Sequence, residues 1–517
     1  HLSSSPFDYD ALNLELIDEL RLVDDSELQR QLETPVGPLA TADLFVSGQY
    51  AYLGSFAGAV HVVDISRPDR LDLVAEVATS GPAVDVKIEG DMAVVGVQKP
   101  GAQFGLLILD VSDPTDPQVA GEISHPSWQG VHNLFLAEGR AYLAPISDTE
   151  AVRGVVIVDV TEPTQPSITG NWINRHPSFS NRIHDVFVAD GIAYVSDFFS
   201  GLVLLDLADP DNPVTLSSLH FDEGIHSAWG HDDYVYCNQE FGGPLRLLHA
   251  VDATDPAAPE LVRSFRANLS RESEVIGPHN PHVRGHWLYW AYYDAGLRVF
   301  DISRPEHPVE VAYHPSTLAW GAHPHTDGFV YVADSRDGLR SMRFNEPAFA
   351  VRDIRPVEPA RVGATAHFEV AIEPLPDRRD ERIVQVGLSV SFSDDPTVIE
   401  LRDDDGLFVG AFPVPEHTVA GAYPLCTWVE DDGGAIYPLR GMLEVHPPDF
   451  PTAITEEDGV TLQDQSELLQ NYPNPFNSDT IIGFRLAQPA TVDLGIYNMA
   501  SQRLATIVDG ERQAGHH

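Results

Sequence analysis

The stretch HDVFVADGIAYVSDFFSGLVLLDLADP, His184–Pro210, decides the fold. Two short apolar strands flank the Asp190-Gly191 pair, a third apolar strand follows, and Asp206-x-x-x-Pro210 closes the stretch. An Asp-Gly pair suits a tight hairpin, because glycine takes positive φ without steric cost. The third strand, GLVLLDL, is apolar on both faces, as expected for a sheet covered on both sides. Proline after it cannot join a ladder and forces a turn.

The same pattern recurs along the chain. Apolar runs ending in aspartate occur in VHVVDISRPDR, LLILDVSDPTDP, VVIVDVTEPTQP, LVLLDLADPDNP, LHAVDATDPAAP and LRVFDISRPEHP. Their aspartates are Asp64, Asp110, Asp159, Asp206, Asp252 and Asp301, spaced by 46, 49, 47, 46 and 49 residues. A degenerate seventh copy, GLRSMRFNEP, ends at Pro347. Each copy follows an aromatic-bearing hairpin such as LFLAEGRAYLA, and a fourth short strand such as PVTLSSL comes after. Four antiparallel strands in about 40–50 residues make a propeller blade. The repeated aspartate reads as a cap on its own turn; no dense Asp-x-Asp loop accompanies it to suggest calcium.

The seventh copy lacks an outer strand, and Leu12–Leu22 is an orphan strand ahead of the first copy. Pairing the two closes a ring and removes open sheet edges. The expected fold class is all-β. A seven-bladed β-propeller over 11–349 is closed by the strand at 12–22, and an immunoglobulin-like β-sandwich follows over 350–447. A polar linker over 448–469 then leads to a small β-sandwich over 470–517. The sandwich expectation rests on about seven alternating strands in about a hundred residues.

Composition narrows the function. There are 78 Asp+Glu against 31 Lys+Arg, a formal net charge of −47. Such a surface repels phosphate backbones and anionic lipid, so nucleic acid and membrane surfaces are not expected partners. Only Lys87 and Lys99 are lysines. The distant Cys237 and Cys426 exclude a disulfide framework. No apolar run is long enough for a transmembrane segment. The acidic turns Asp403–Asp405 and Asp431–Asp432 are solvated turns with at most weak calcium affinity.

VVIVDV and its sisters, followed by DP or EP and then P, resemble the LVIVD-repeat propellers of bacterial surface proteins. Gly277–His314 is similar to the best-marked blade of choice-of-anchor B proteins. These likenesses imply architecture and location more than chemistry. NYPNPFN, TIIGFRL, VDLGIYN and the late AGHH resemble the type A sorting domain of type IX secretion, expected to be incomplete at His517. That likeness implies export by the type IX secretion machinery to the outer cell surface or medium. It also accounts for HLSSSPFDYD lacking a leader, through removal during inner-membrane transit.

Aligned at the start of each innermost strand, the copies place Ala42, Val84, His132, His184, His226, His279 and His323 in register. Innermost strands surround the channel, so His132, His184, His226, His279 and His323 are expected to converge near one mouth. Imidazoles so placed suit zinc, copper, nickel or iron, with Asn133, Asp185 and Asn280 orienting the rings. The other readings are inter-blade hydrogen bonding and, least supported, direct catalysis. On the register, His325 lies deeper on the face of His323, and His282 points away from that of His279. His231, Asp232, Asp233 and Glu240 read as a charged hairpin; Trp287, Trp290, Tyr292 and Tyr293 read as core. No Gly-x-Ser-x-Gly elbow, phosphate-cradling loop or His-Glu-x-x-His is present. The expected function is an exported binding scaffold with an unknown extracellular ligand; the alternative is a metal-dependent hydrolase or lyase acting on an extracellular polymer.

Overall fold

The computed structural model describes residues 11–22, 40–98, 105–147, 154–173, 175, 182–240, 247–268, 277–376, 381–392 and 396–447, with short segments between 467 and 516. Two compact units emerge. The first runs to Ala348 and includes Asp431–Pro438; the second takes Phe349–Glu430 and the chain from Leu439 onward.

Among the described residues, the first unit contains seven four-stranded antiparallel sheets. Six take their strands in chain order, innermost to outermost. Sheet 4 holds the opening stretch as Ile183–Ala189, Ile192–Asp197, Gly201–Asp206 and Val214–His220. The innermost strands of sheets 1 to 7 are Thr41–Ser47, Ala83–Glu89, Gly130–Ala137, Ile183–Ala189, Ser227–His231, Pro281–Arg284 and Ala319–Pro324. Each packs against the next, and the last packs back on the first.

Burial explains the composition of the repeat. Third strands such as Gly201–Asp206 are buried almost throughout, whereas outer strands such as Val214–His220 are largely exposed. The core lies between sheets. Ala144, Val155 and Ile157 of sheet 3 meet Val186, Val195 and Val203 of sheet 4. Leu44, Leu53 and Val63 of sheet 1 meet Tyr331, Ala333 and Leu339 of sheet 7. Glu138-Gly139 and Asp190-Gly191 hold positive φ at both hairpin positions, as their turns require. The glycine opening the third strand is steric: a Cβ on Gly154 would stand 1.9 Å from the Trp172 carbonyl oxygen.

The repeated aspartate caps its own turn in all six copies that carry it. Asp64, Asp110, Asp159, Asp206, Asp252 and Asp301 each accept a hydrogen bond from the backbone N–H two residues on, at 2.8–2.9 Å.

Sheet 7 draws its outer strand from the other end of the repeat region. Leu14–Leu20 pairs antiparallel with Gly338–Phe344, from Leu14 opposite Phe344 to Leu20 opposite Leu339. Arg340 Nε donates to Glu19 Oε2 at 2.8 Å across this seam. Inner stitches join sheets 7 and 1: Ala40 N to Ser335 O, Thr41 Oγ1 to Asp334 O and Ser335 Oγ to Thr41 O, each 2.6 Å.

Among the described residues, 349–447 form two sheets. One orders Phe349–Pro356, Thr365–Pro374, Leu407–Pro413 and Arg402–Asp404; the other orders Ala360–Arg361, Ile436–His446, Gly421–Asp431, Ile383–Val390 and Thr397–Glu400. Phe368 stacks on Phe412 at 5.1 Å. The acidic turns serve the backbone: Asp403 Oδ1 accepts from Gly406 N, and Asp431 Oδ1 from Gly433 N and Ala435 N. Cys237 and Cys426 are free and buried. Further on, Glu467–Leu468, Phe484–Leu486 and Gly515–His516 form one small sheet, and Ala490–Tyr497 pairs with Arg503–Arg512. The Asn471–Asn477 motif and nearly all of the expected linker lie outside the described residues. Among the described residues no helix is long and apolar enough to cross a membrane.

The seam yields a test. Removing residues 11–22 leaves Gly338–Phe344 as an unpaired edge, so thermal unfolding is expected to shift downward and light scattering to show concentration-dependent association. Wild-type behaviour in both measurements would show that the strand is dispensable.

Candidate functional site

A β-bulge re-aims side chains at the start of the innermost strands. The register slips at Ala42–Asp43, Val84, His132, His184 and Trp320 in sheets 1, 2, 3, 4 and 7. Three tiers follow along the channel. The mouth tier is Ala42, Val84, His132, His184, His226, His279 and Trp320. The next is Asp43, Asp85, Asn133, Asp185, Ser227, Asn280 and Gly321. A third is Phe45, Lys87, Phe135, Phe187, Trp229, His282 and His323.

Four of the five predicted histidines come together. Ring centroids are 4.3 Å apart for His132 and His184, 4.1 Å for His184 and His226, and 4.5 Å for His226 and His279. His323 does not join them. Trp320 holds its expected place, 4.4 Å from His279. His323 lies in the third tier, edge-on to His282 at 4.3 Å and to Phe45 at 4.9 Å. His282 is therefore its neighbour rather than a residue of another face, and His325 bonds the Gly48 carbonyl at 2.9 Å. The misplacement is three residues: sheet 7 carries Trp320, not a histidine, at the bulged position that sheets 3 and 4 give to His132 and His184.

Hydrogen bonds fix the tautomers. Gln98 Nε2 donates to His132 Nδ1 at 2.6 Å, so His132 carries its proton on Nε2 and donates to His184 Nε2 at 2.8 Å. His184 Nδ1 then donates to the His226 carbonyl at 3.1 Å, and His279 Nδ1 to the Trp320 carbonyl at 2.6 Å. Asn133, Asp185 and Asn280 do not orient the rings. Asp185 accepts from Val186 N at 2.8 Å and Asn280 donates to Asp43 at 3.1 Å, because residues after the bulge face the second tier.

His226 is 1 % exposed, and neither ring nitrogen has a hydrogen bond. Its Nε2 lies 3.3 Å from Glu240 Oε2, and the other oxygen of Glu240 accepts the Tyr293 hydroxyl. His184, His226 and Glu240 each present one ligand atom within 4.8 Å of the others. Glu240 thus belongs to the mouth rather than to a charged hairpin, and Tyr293 is more than core. Tyr293 holds φ 43°, uncommon for a non-glycine residue and visible only in the structure.

Burial dominates the electrostatics. It holds His132 near about 4 and His279 near about 3, and takes His184 and His226 well below the ordinary imidazole value. His282 and His323 are lowered by the same cause, His323 to about 3. Burial raises Glu240 to about 7, Asp43 to about 6 and Asp185 to about 7. Burial also disfavours the Lys87 ammonium, but Asp85 and Asp43 more than offset it and raise Lys87 overall. Lys87 Nζ bonds Asp85 and stands 3.7 Å from Asp43. Gly321 leaves space for that carboxylate: a Cβ there would meet Asp43 Oδ1 at 2.0 Å. Neutral imidazoles beside a carboxylate, with the His226 nitrogens unbonded, form a donor set for a borderline-soft metal ion.

With this geometry in hand, comparisons add family and fold. Five segments match the LVIVD repeat, at residues 40–79, 80–124, 151–173, 182–220 and 281–313. The chain carries LVIVD repeats. No curated protein matches it. Among solved structures, the WD40 β-propeller domain of Doa1 is 13 % identical, covering 64 % of this chain and 97 % of that one at a TM-score of 0.45. The Neurospora crassa Pan2 WD40 domain is 9 % identical over 65 % and 96 %, at 0.47. The designed Ika8 protein is 12 % identical over 59 % and 96 %, at 0.42. The β-propeller architecture of the LVIVD repeats rests on the sheet succession itself.

The pKa shifts predict the acid response of metal-free protein. Unfolded imidazoles titrate near about 6.5, so below that pH the unfolded chain takes up protons that the buried rings refuse, and stability falls toward about pH 4. Asp43, Asp185 and Glu240 act oppositely: their raised values make the folded state the better proton acceptor between about 4 and 7. Seven buried imidazoles, the six of the channel and His249, outnumber three acids. The melting temperature is expected to drop from pH 7 to 5, more steeply in Asp185→Asn; a flat profile would contradict the burial argument.

Proposed function

We propose that this LVIVD-repeat protein is an exported interaction scaffold, a seven-bladed β-propeller over 11–349 with a metal ion bound at its channel mouth. The single observation that carries the metal assignment is His226, enclosed between His184, His279 and Glu240 with both nitrogens unbonded. A buried imidazole without a partner forfeits its hydrogen bonds unless a ligand supplies them. His184 and His226 supply imidazole nitrogen and Glu240 carboxylate oxygen, with Tyr293 steadying the carboxylate from outside. The set suits zinc, copper, nickel or iron, and a ligand on His184 Nε2 replaces the bond from His132.

The scaffold reading is supported by repeated rigid sheets presenting loops around one mouth. The remaining assignments follow from sequence: an immunoglobulin-like spacer over 350–447, a linker over 448–469, and a type IX secretion sorting domain over 470–517. On that reading the protein resides on the outer cell surface or in the medium.

The test is elemental analysis of protein made without an affinity tag. About one equivalent of transition metal is expected, lost in His226→Ala and Glu240→Gln while circular dichroism stays that of folded protein. Metal-free wild-type protein that takes up none of the four ions would overturn the metal assignment and leave the scaffold.

A further inference from the structure

Below the imidazoles, the second tier lines a small half-open cavity of about 40 Å³, bordered by Asp43, Asp85, Lys87, Asn133, Asp185 and Asn280. With all three carboxylates ionised, as a bound cation would hold them, they and the one ammonium leave two negative charges in excess. Several oxygens there are unspent. Asp185 gives one oxygen to Val186 N and makes no other hydrogen bond. Asn280 Oδ1 is buried without a partner. Asn133 is 8 % exposed and lines the cavity, and among the described residues no partner is seen for its carboxamide. A buried amide in that state costs free energy unless something in the cavity meets it.

We propose that this tier is a site for an oxygen-ligated divalent cation, calcium before magnesium, independent of the metal at the mouth. Charge sets the valence, since a doubly positive ion balances the excess. Donor type sets the class: carboxylate, carboxamide and water oxygens favour hard cations, whereas the mouth offers imidazole. The space of about 40 Å³ is enough for an ion with two or three waters. Asp185, Asn133 and Asn280 offer free oxygen to the ion and its waters. Asp43 and Asp85, already bonded to Asn280 and Lys87, contribute charge. Calcium tolerates such an irregular shell better than magnesium does.

Calorimetric titration of chelator-treated, tag-free full-length protein with calcium chloride, and separately magnesium chloride, tests the site. One saturable calcium site that raises the melting temperature is expected, with affinity reduced about tenfold or more in Asp185→Asn and in Asn133→Leu. Zinc uptake at the mouth is expected to stay unchanged in both variants. Because the exterior is strongly acidic, calcium binding unaltered by the variants would assign it to the surface and overturn the proposal, as would no saturable binding of either ion to wild type. A tighter site for magnesium than for calcium would overturn the choice of ion. Should Asp185→Asn fail to fold, Asn133→Leu, which alters no charge, decides the matter.

Discussion

Closure of the ring is the constraint on which everything else depends. Each sheet buries both faces against neighbours, so no sheet is stable alone, and an unclosed array would expose two apolar faces and unpaired edges. The seam meets both problems. Leu14–Leu20 satisfies the edge of Gly338–Phe344, and three 2.6 Å bonds tie Ala40 and Thr41 to Asp334 and Ser335. Behind those bonds Leu44 and Leu53 pack on Tyr331 and Leu339, so the seam is as apolar as any other inter-sheet core.

A rigid ring permits an interior that a flexible one would not. Buried ionisable groups are costly, and the channel gathers imidazoles in one tier and carboxylates with a lysine in the next. The floor is aromatic: Phe135 meets Phe187 at 4.8 Å, Phe187 meets Trp229 at 4.5 Å, and Trp229 stacks on His282 at 4.1 Å. The mouth above carries unbonded nitrogen. Strands fixed by neighbours on both sides hold these groups in place despite their mutual cost, which is the arrangement expected of a site that binds charge.

The fold was far more legible in the sequence than the site. Aspartates returning every 46 to 49 residues gave the four-stranded unit, and Asp-Gly and Glu-Gly pairs marked hairpins that adopt the positive φ those residues allow. Histidine convergence was legible for His132, His184, His226 and His279, because repeats in register carry like positions to like places. His323 was misassigned because its sheet carries an indole, Trp320, at the bulged position where other copies carry imidazole, and the nearest histidine lies three residues further on. Glu240 and Tyr293 were hidden differently. They sit on the loops after second strands of neighbouring sheets, 53 residues apart, and only the ring sets them against His226.

By itself, then, the amino-acid order determined the all-β repeat, its turns and its capping aspartates, because these depend on residues within one hairpin of each other. The same order carried the imidazoles to one end of the channel. Tertiary structure alone decided which groups touch: the Gln98–His132–His184 bond chain, the Glu240 carboxylate beside His226, and Lys87 beneath Asp43 and Asp85. Those contacts depend on bulge placement and on inter-sheet distance, which arise from packing between repeats and have no counterpart in local pattern.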